Sequence, residues 1–467
     1  MDEYLSYNIL RPNDLYLVPL CLLLLYILGA IMRRKYEKTD IQRYIIPALS
    51  IRFVCAFLYT LVLAYYYGFG DSYNYYQGVL DMHKAVFDDV SILSDIYSKI
   101  SLDRDGRLYS YFRYDSYGFT HYYMLEPRTY MVSKMGLPFS ILFNKSFLCI
   151  SLCISFFSFL GSWKIFKMFY EMYPHLHKKI AIACLFLPSV LFWGVSLLKD
   201  PLCIGAMGYF VYAAYSVFIK KEKILSSGVQ LIIFGFMLLQ LKPYILYCLV
   251  AVFSLWIFYK FRDKIGDKTL RNVSTVLFTS IAILAGFFAT QGLGEAQGGS
   301  KFTSEELLNT VKHQQTIFLN NKGEAEGAIS NFTVGGGEVS NSITSLILLF
   351  PEGIVNTFFR PFPWDVRSPM MILSAFESFC FLIITLMCLW KIGFMKIFQA
   401  IFGDPVISFC FIFAIVFGGV IGVTTTNFGA LVRYKIPCIT FYAMAFFLIM
   451  DKSKKFSPDY IFSKKLF

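Results

Sequence analysis

Apolar runs about 20 residues long recur along this chain of 467 residues, separated by short polar breaks. A helix rises about 1.5 Å per residue, so each run matches the roughly 30 Å hydrocarbon core of a bilayer. The pattern predicts spans over residues 15–32, 44–67, 139–160, 180–198, 202–219, 224–240, 244–259, 273–292, 370–390, 406–426 and 436–450. Lys and Arg gather on alternate breaks, at 33–38, 164–179, 220–223, 260–271, 391–396 and 452–455. With 11 spans, every one of these clusters falls on one side, which the positive-inside rule makes cytoplasmic. The N-terminus is then extracytoplasmic, the C-terminus cytoplasmic, and the long polar stretches 68–138 and 293–345 lie on the outer face. Residues 346–363 are apolar but carry Pro351, Glu352, Gly353, Arg360, Pro361 and Pro363. Counting them as a crossing would invert the later basic clusters, so they read as an interfacial or re-entrant part of an outer loop spanning 293–369. The expected fold is therefore all-α: a single polytopic integral-membrane domain over 1–467, a bundle of about 11 transmembrane helices.

Composition narrows the class further. A hydrophobic share of 57% against 16% charged residues excludes a soluble chain. The net charge of +12 is accounted for by the loop clusters, which leaves no case for nucleic acid as a partner. The 11 cysteines lie mostly within apolar runs without metal-ligand spacing and read as small buried hydrophobes. The first residues lack the basic n-region of a removable leader.

Polar groups gather at the outer mouths of the spans. Asp71 follows the second span among Tyr73, Tyr75 and Tyr76, suited either to base catalysis on a sugar hydroxyl or simply to a turn in an aromatic belt. Lys199 and Asp200 join the fourth and fifth spans, where they either contact substrate or neutralise one another; Lys242 is another outer cation. Arg360 and Arg367 flank Trp364 on a proline-stiffened aromatic segment, and Arg433 and Lys435 join the last two spans. Guanidinium forks suit phosphate oxygens, and Lys adds a point charge, although cations near span ends also snorkel to lipid headgroups. Arg52 and Glu377 lie inside spans, where ionisable groups serve either a site or a structural pair. The first outer stretch carries Arg104, Arg107, Arg113, His121 and Arg128 among tyrosines, and the second a glycine run at Gly335–Gly337 suited to ordering over an acceptor.

The Asp71 loop, the run from Pro188-Ser189 through Phe192-Trp193 to Lys199-Asp200, and the Arg360 and Arg433 segments together resemble the polytopic glycosyltransferases of bacterial envelope glycan assembly, the C-type glycosyltransferase and O-antigen polymerase group. That resemblance implies a bacterial inner-membrane enzyme using a polyprenyl-phosphate- or diphosphate-linked glycan on the extracytoplasmic face. Asp71 would activate the acceptor, while Arg360, Arg367 and Arg433 would hold phosphate. Membrane lipids and other envelope-assembly proteins are the further expected partners; no metal or cofactor is expected. A transporter or flippase of lipid-linked glycan, or a non-catalytic scaffold of an envelope complex, fits the same features.

Overall fold

A computed structural model describes residues 9–68, 70–112, 123–262, 265–290, 332, 334 and 343–454. The described residues form an all-helical, polytopic membrane protein in which nine helices are long and apolar enough to cross a bilayer. The chain divides into two compact units, Met1–Phe186 with Val190–Lys242, and Leu187–Ser189 with Pro243–Phe467. Each is described by itself.

The first unit contains α1 (Asp14–Arg34), α2 (Gln42–Val62, prolonged by a π-turn over Leu63–Tyr67), α3 (Asp71–Asp88), α4 (Ile92–Ser98), α5 (Pro127–Leu142), α6 (Phe147–Met172), α7 (His177–Leu185), most of α8 (Pro188–Trp193), α9 (Lys199–Ala214, prolonged over Tyr215–Lys220) and α10 (Ile224–Leu241). Its basic ends meet on one side: Arg43 reaches His177, and the ring of Tyr36 packs on Trp163. At the opposite end the Ser146 hydroxyl donates to Asp14 and caps α6 by accepting from the Cys149 N–H.

Three expectations are corrected here. The predicted span 139–160 is in fact the end of α5, a turn with positive φ at Asn144 and Lys145, and then α6, which runs on through Lys164 and Lys167 to Met172. The stretch 68–138 is not an irregular loop. Buried residues at Tyr75, Tyr76, Val79, Met82 and Val86 follow helical spacing on α3, and Met82, Ala85 and Val86 among its buried residues build with Ile92, Ile96, Leu108, Met124 and Leu137 a core of their own. The predicted span 180–198 is interrupted. Pro188 lacks an N–H and disfavours helix at Leu187, so α7 stops and α8 restarts, and residues 194–198 are non-helical.

That interruption sits beside two helices that run parallel. Ser151 and Ser155 of α6 reach Ser196, Gly161 abuts Ile204 and Gly205, and Glu171 meets Lys220. Backbone meets backbone where Gly161 faces Gly205 and Gly208, a contact that a side chain would block. Parallel neighbours need a return path between them, and 173–198 supplies it. Two of its buried backbone groups find partners on α6 and α2: the Ser196 N–H donates to Ser155 Oγ at 3.1 Å, and Arg52 donates to the Gly194 carbonyl.

The second unit contains α11 (Pro243–Phe261), α12 (Lys268–Thr290), α13 (Ile343–Phe359), α14 (Pro369–Ile392), α15 (Phe394–Gly403), α16 (Pro405–Thr424), α17 (Phe428–Tyr434) and α18 (Ile436–Lys454). α16 is its axis, buried along nearly all its length. α11 packs on it antiparallel through Tyr244 on Phe417 and Phe253 on Phe409. α13, the segment expected to be interfacial or re-entrant, is a helix that packs on the C-terminal part of α16, with Gly353 against Gly419 and Gly422, and Thr357 donating to the Gly418 carbonyl, while Phe358 stacks on Tyr442 of α18. α12 covers the predicted span 273–292. Most of the outer stretch 293–342, including Gly335–Gly337, lies outside the described residues, as do Arg113 and His121.

Candidate functional site

In the first unit, α3, α5, α9 and α10 bring a group of charged side chains together at the end away from the basic clusters. Asp71 opens α3 after two glycines, Gly68 and Gly70, whose positive φ values let the chain turn sharply out of α2. It is exposed, and its charge reaches both Lys199 and Tyr123. Burial, with the Asp71 charge added, pushes the Tyr123 phenol up. Lys199, at the first turn of α9, lies 3.5 Å from the Glu126 carboxylate, donates to Thr129 Oγ1 at 3.3 Å, and sits 5.7 Å from the centre of the Tyr75 ring. Arg128 and Lys242 also bear on it electrostatically.

The Lys199-Asp200 pair does not neutralise itself. Lys199 turns to Glu126, while Asp200, buried, accepts from Lys242 Nζ at 2.5 Å. That second pair is inaccessible, with side-chain exposures of 1% and 7%, and it fastens the start of α9 to the end of α10. Asp71, Tyr75 and Lys199 therefore share one neighbourhood with Glu126 and Arg128, whereas Asp200 and Lys242 are its support. Glu126, directly before Pro127 at the start of α5, is the residue that span counting misses; an acid preceding Pro at a helix start is its only signal.

In the second unit Arg360 follows the end of α13, and its fork is already engaged. Nε and NH2 donate to the two oxygens of Asp365 at 3.0 and 3.2 Å, and the rings of Phe332 and Phe428 lie 5.1 and 4.9 Å from it. The side chain expected to contribute to a phosphate cluster also clamps its own turn. Burial raises the Asp365 carboxyl, but the hydrogen bonds from Arg360 and the Phe362 N–H, with the charges of Arg360 and Arg367, hold it below the usual carboxylate range. Arg367 is exposed and Trp364 is 75% exposed, stacked on Phe362. Arg433 is half-buried on α17. Lys435 is fully buried and donates to Ser378 Oγ at 3.0 Å, and the neighbouring Glu377 accepts 2.7 Å bonds from the N–H and hydroxyl of Ser189. Among the described residues no group of three or more His, Cys, Asp or Glu is arranged to hold a metal ion.

No protein-family model, curated protein or solved structure matches this chain.

Proposed function

We propose that the chain is a membrane glycosyltransferase or polymerase acting on a polyprenyl-phosphate- or diphosphate-linked glycan, at the face away from the basic clusters, which is the extracytoplasmic face of a bacterial inner membrane. The observation that carries the reading is an exposed carboxylate, Asp71, sharing a neighbourhood of tyrosines with Lys199 and Arg128. In this mechanism Asp71 takes the proton of an acceptor hydroxyl as that oxygen bonds to the donor's anomeric carbon. The bond from that carbon to the lipid phosphate breaks, and Lys199 and Arg128 stabilise the departing phosphate. Tyr123, exposed beside Asp71, offers a face for a sugar ring, and buried Tyr75 backs Lys199. In the second unit, exposed Arg367 and Trp364 suit a lipid headgroup, and Arg433 adds charge.

Membranes supplied with a polyprenyl-linked sugar donor test this. Asp71→Asn and Lys199→Gln should each lower glycan extension by roughly 100-fold or more while the protein remains folded. Undiminished extension by folded Asp71→Asn protein removes the assignment. The interrupted return over 177–198 supports a second reading, transport of lipid-linked glycan, because broken helices are frequent at transport sites. Vesicles in which the reconstituted chain moves lipid-linked sugar between leaflets without lengthening it would establish that alternative. A scaffold would tolerate every one of these substitutions, and envelope-assembly proteins would then be its partners.

A further inference from the structure

At the basic end of the second unit, a cavity of about 580 Å³ opens between the last turn of α11, the first three turns of α12 and the amphipathic α15. Its polar wall carries two guanidinium groups, Arg262 and Arg271, with Asn272, Thr275 and Ser280; its apolar wall is Val276, Phe398 and Phe402. Tyr259 closes the floor, its hydroxyl 3.3 Å from Thr279 Oγ1, and Arg262 lies 4.4 Å over the Tyr259 ring. Lys260 and Lys268 add positive charge in the flanking sequence, and Asp267, at the start of α12, accepts from the Leu270 N–H.

We propose that this cavity holds the phosphodiester headgroup of an anionic phospholipid from the leaflet that the basic clusters face, independently of the transferase chemistry proposed above. Two guanidinium groups with neighbouring hydroxyls and an amide match the oxygens of a phosphodiester and its glycerol. The volume exceeds what a bare phosphate fills and lies within the range of ligand sites. What selects a lipid over a dissolved anion is the rim. From it run the exposed side chains of Val273, Leu277 and Phe278 on α12 and of Phe394 and Met395 on α15, an apolar surface along which acyl chains can lie. α15 presents these rings outward while Ile397, Ala400 and Ile401 pack inward, the arrangement of a helix lying in an interface.

The test is native mass spectrometry of the purified full chain with phosphatidylglycerol and phosphatidylcholine at equal concentration. The wild-type chain should retain phosphatidylglycerol at least tenfold more than phosphatidylcholine. Arg262→Gln with Arg271→Gln should bring the ratio close to one, since each basic side chain near anionic lipid is worth roughly fivefold. Asn272→Trp, at an exposed position, fills the cavity with both charges intact and should also lose the bound lipid, which keeps the idea testable if the double variant does not fold. Lys391→Gln, on the same end but outside the cavity, should leave the ratio unchanged. The proposal is overturned if Asn272→Trp retains phosphatidylglycerol like the wild-type chain, if Lys391→Gln abolishes the preference as fully as the double variant, or if millimolar inorganic phosphate displaces the lipid completely.

Discussion

Arg52 in the first unit and Lys435 in the second are both buried among apolar helices, and they are held by opposite means. Arg52 of the first unit is fully buried, and among the described residues it is held by neutral oxygens: Ser158 Oγ at 2.6 Å, Ser162 Oγ at 2.7 Å and the Gly194 carbonyl at 3.4 Å. Lys435 of the second unit bonds to Ser378 beside the Glu377 carboxylate. A guanidinium can distribute its charge over several dipoles because its donors diverge in a plane. An ammonium is a compact charge that gains more from a nearby carboxylate. The first arrangement spends its cation on tying an interrupted chain to α6; the second concentrates opposite charges.

If that contrast is right, removing a carboxylate should be the most damaging change. Glu377→Leu should lower stability by roughly 3 to 5 kcal/mol in detergent unfolding, because Lys435 is left buried without counter-charge. In the first unit, Asp200→Ala should do the same to Lys242, whereas Asp200→Leu with Lys242→Met should recover most of the loss. A Glu377→Leu protein that unfolds like the wild-type chain would show that Lys435 is held by its hydroxyl contact alone, erasing its difference from Arg52.

Next come the glycine contacts, where the units behave alike. Gly161→Val between α6 and α9, and Gly422→Val against Gly353, should each cost about 1 to 3 kcal/mol, since the opposing surface is backbone and cannot move aside as a side chain does. Arg52→Lys should cost less, about 1 to 2 kcal/mol, because one ammonium cannot reach Ser158, Ser162 and Gly194 together. Its signature is local: hydrogen exchange should rise at 194–198, and protection there equal to wild type would contradict the role given to Arg52.

The smallest effect separates the units by pH. His83, buried between Ser140 and Phe87, has its pKa depressed to about 4 by burial and by the charges of Lys145 and Arg11. An unfolded His titrates near 6.5, so protonation opposes the folded state. Its contribution is complete above about pH 6.5 and is lost as pH falls through about 4. The depressed Asp365 carboxyl keeps its contribution until pH falls below the ordinary carboxylate value of about 3.9. Exchange rates corrected for intrinsic pH dependence should therefore rise across α3 and α5 between pH 6.5 and 4, with the Arg360–Asp365 turn unchanged. His83→Gln should flatten that response.

Much of the fold was legible because bilayer-length apolar runs leave little choice of element, and the long helices fall on predicted runs except α6, which is displaced from 139–160 to Phe147–Met172. The interrupted return was hidden for a specific reason: average hydropathy across 180–198 outweighs one proline, although Pro188 was there to read. The layer of α3 to α5 was missed because its apolar residues follow a one-sided helical spacing that a search for continuous runs passes over. Of the site, Asp71 with Tyr75 was legible as one group and Lys199 as another, while their meeting around Glu126 was not. The pairing of Asp200 with Lys242 across 42 positions was not, since adjacent Lys and Asp seemed to answer one another. Arg360 was legible as a cation, but its engagement by Asp365, only five residues on, was not.

The parallel course of α6 and α9 has a consequence for counting. A tally of long continuous helices passes directly from one to the other and assigns their ends to opposite compartments, which flips every later segment. Side-by-side glycines and a shared Glu171–Lys220 terminus make that bookkeeping wrong by one. Reporter tags inserted just after Met172 and just after Lys220 must see the same solvent.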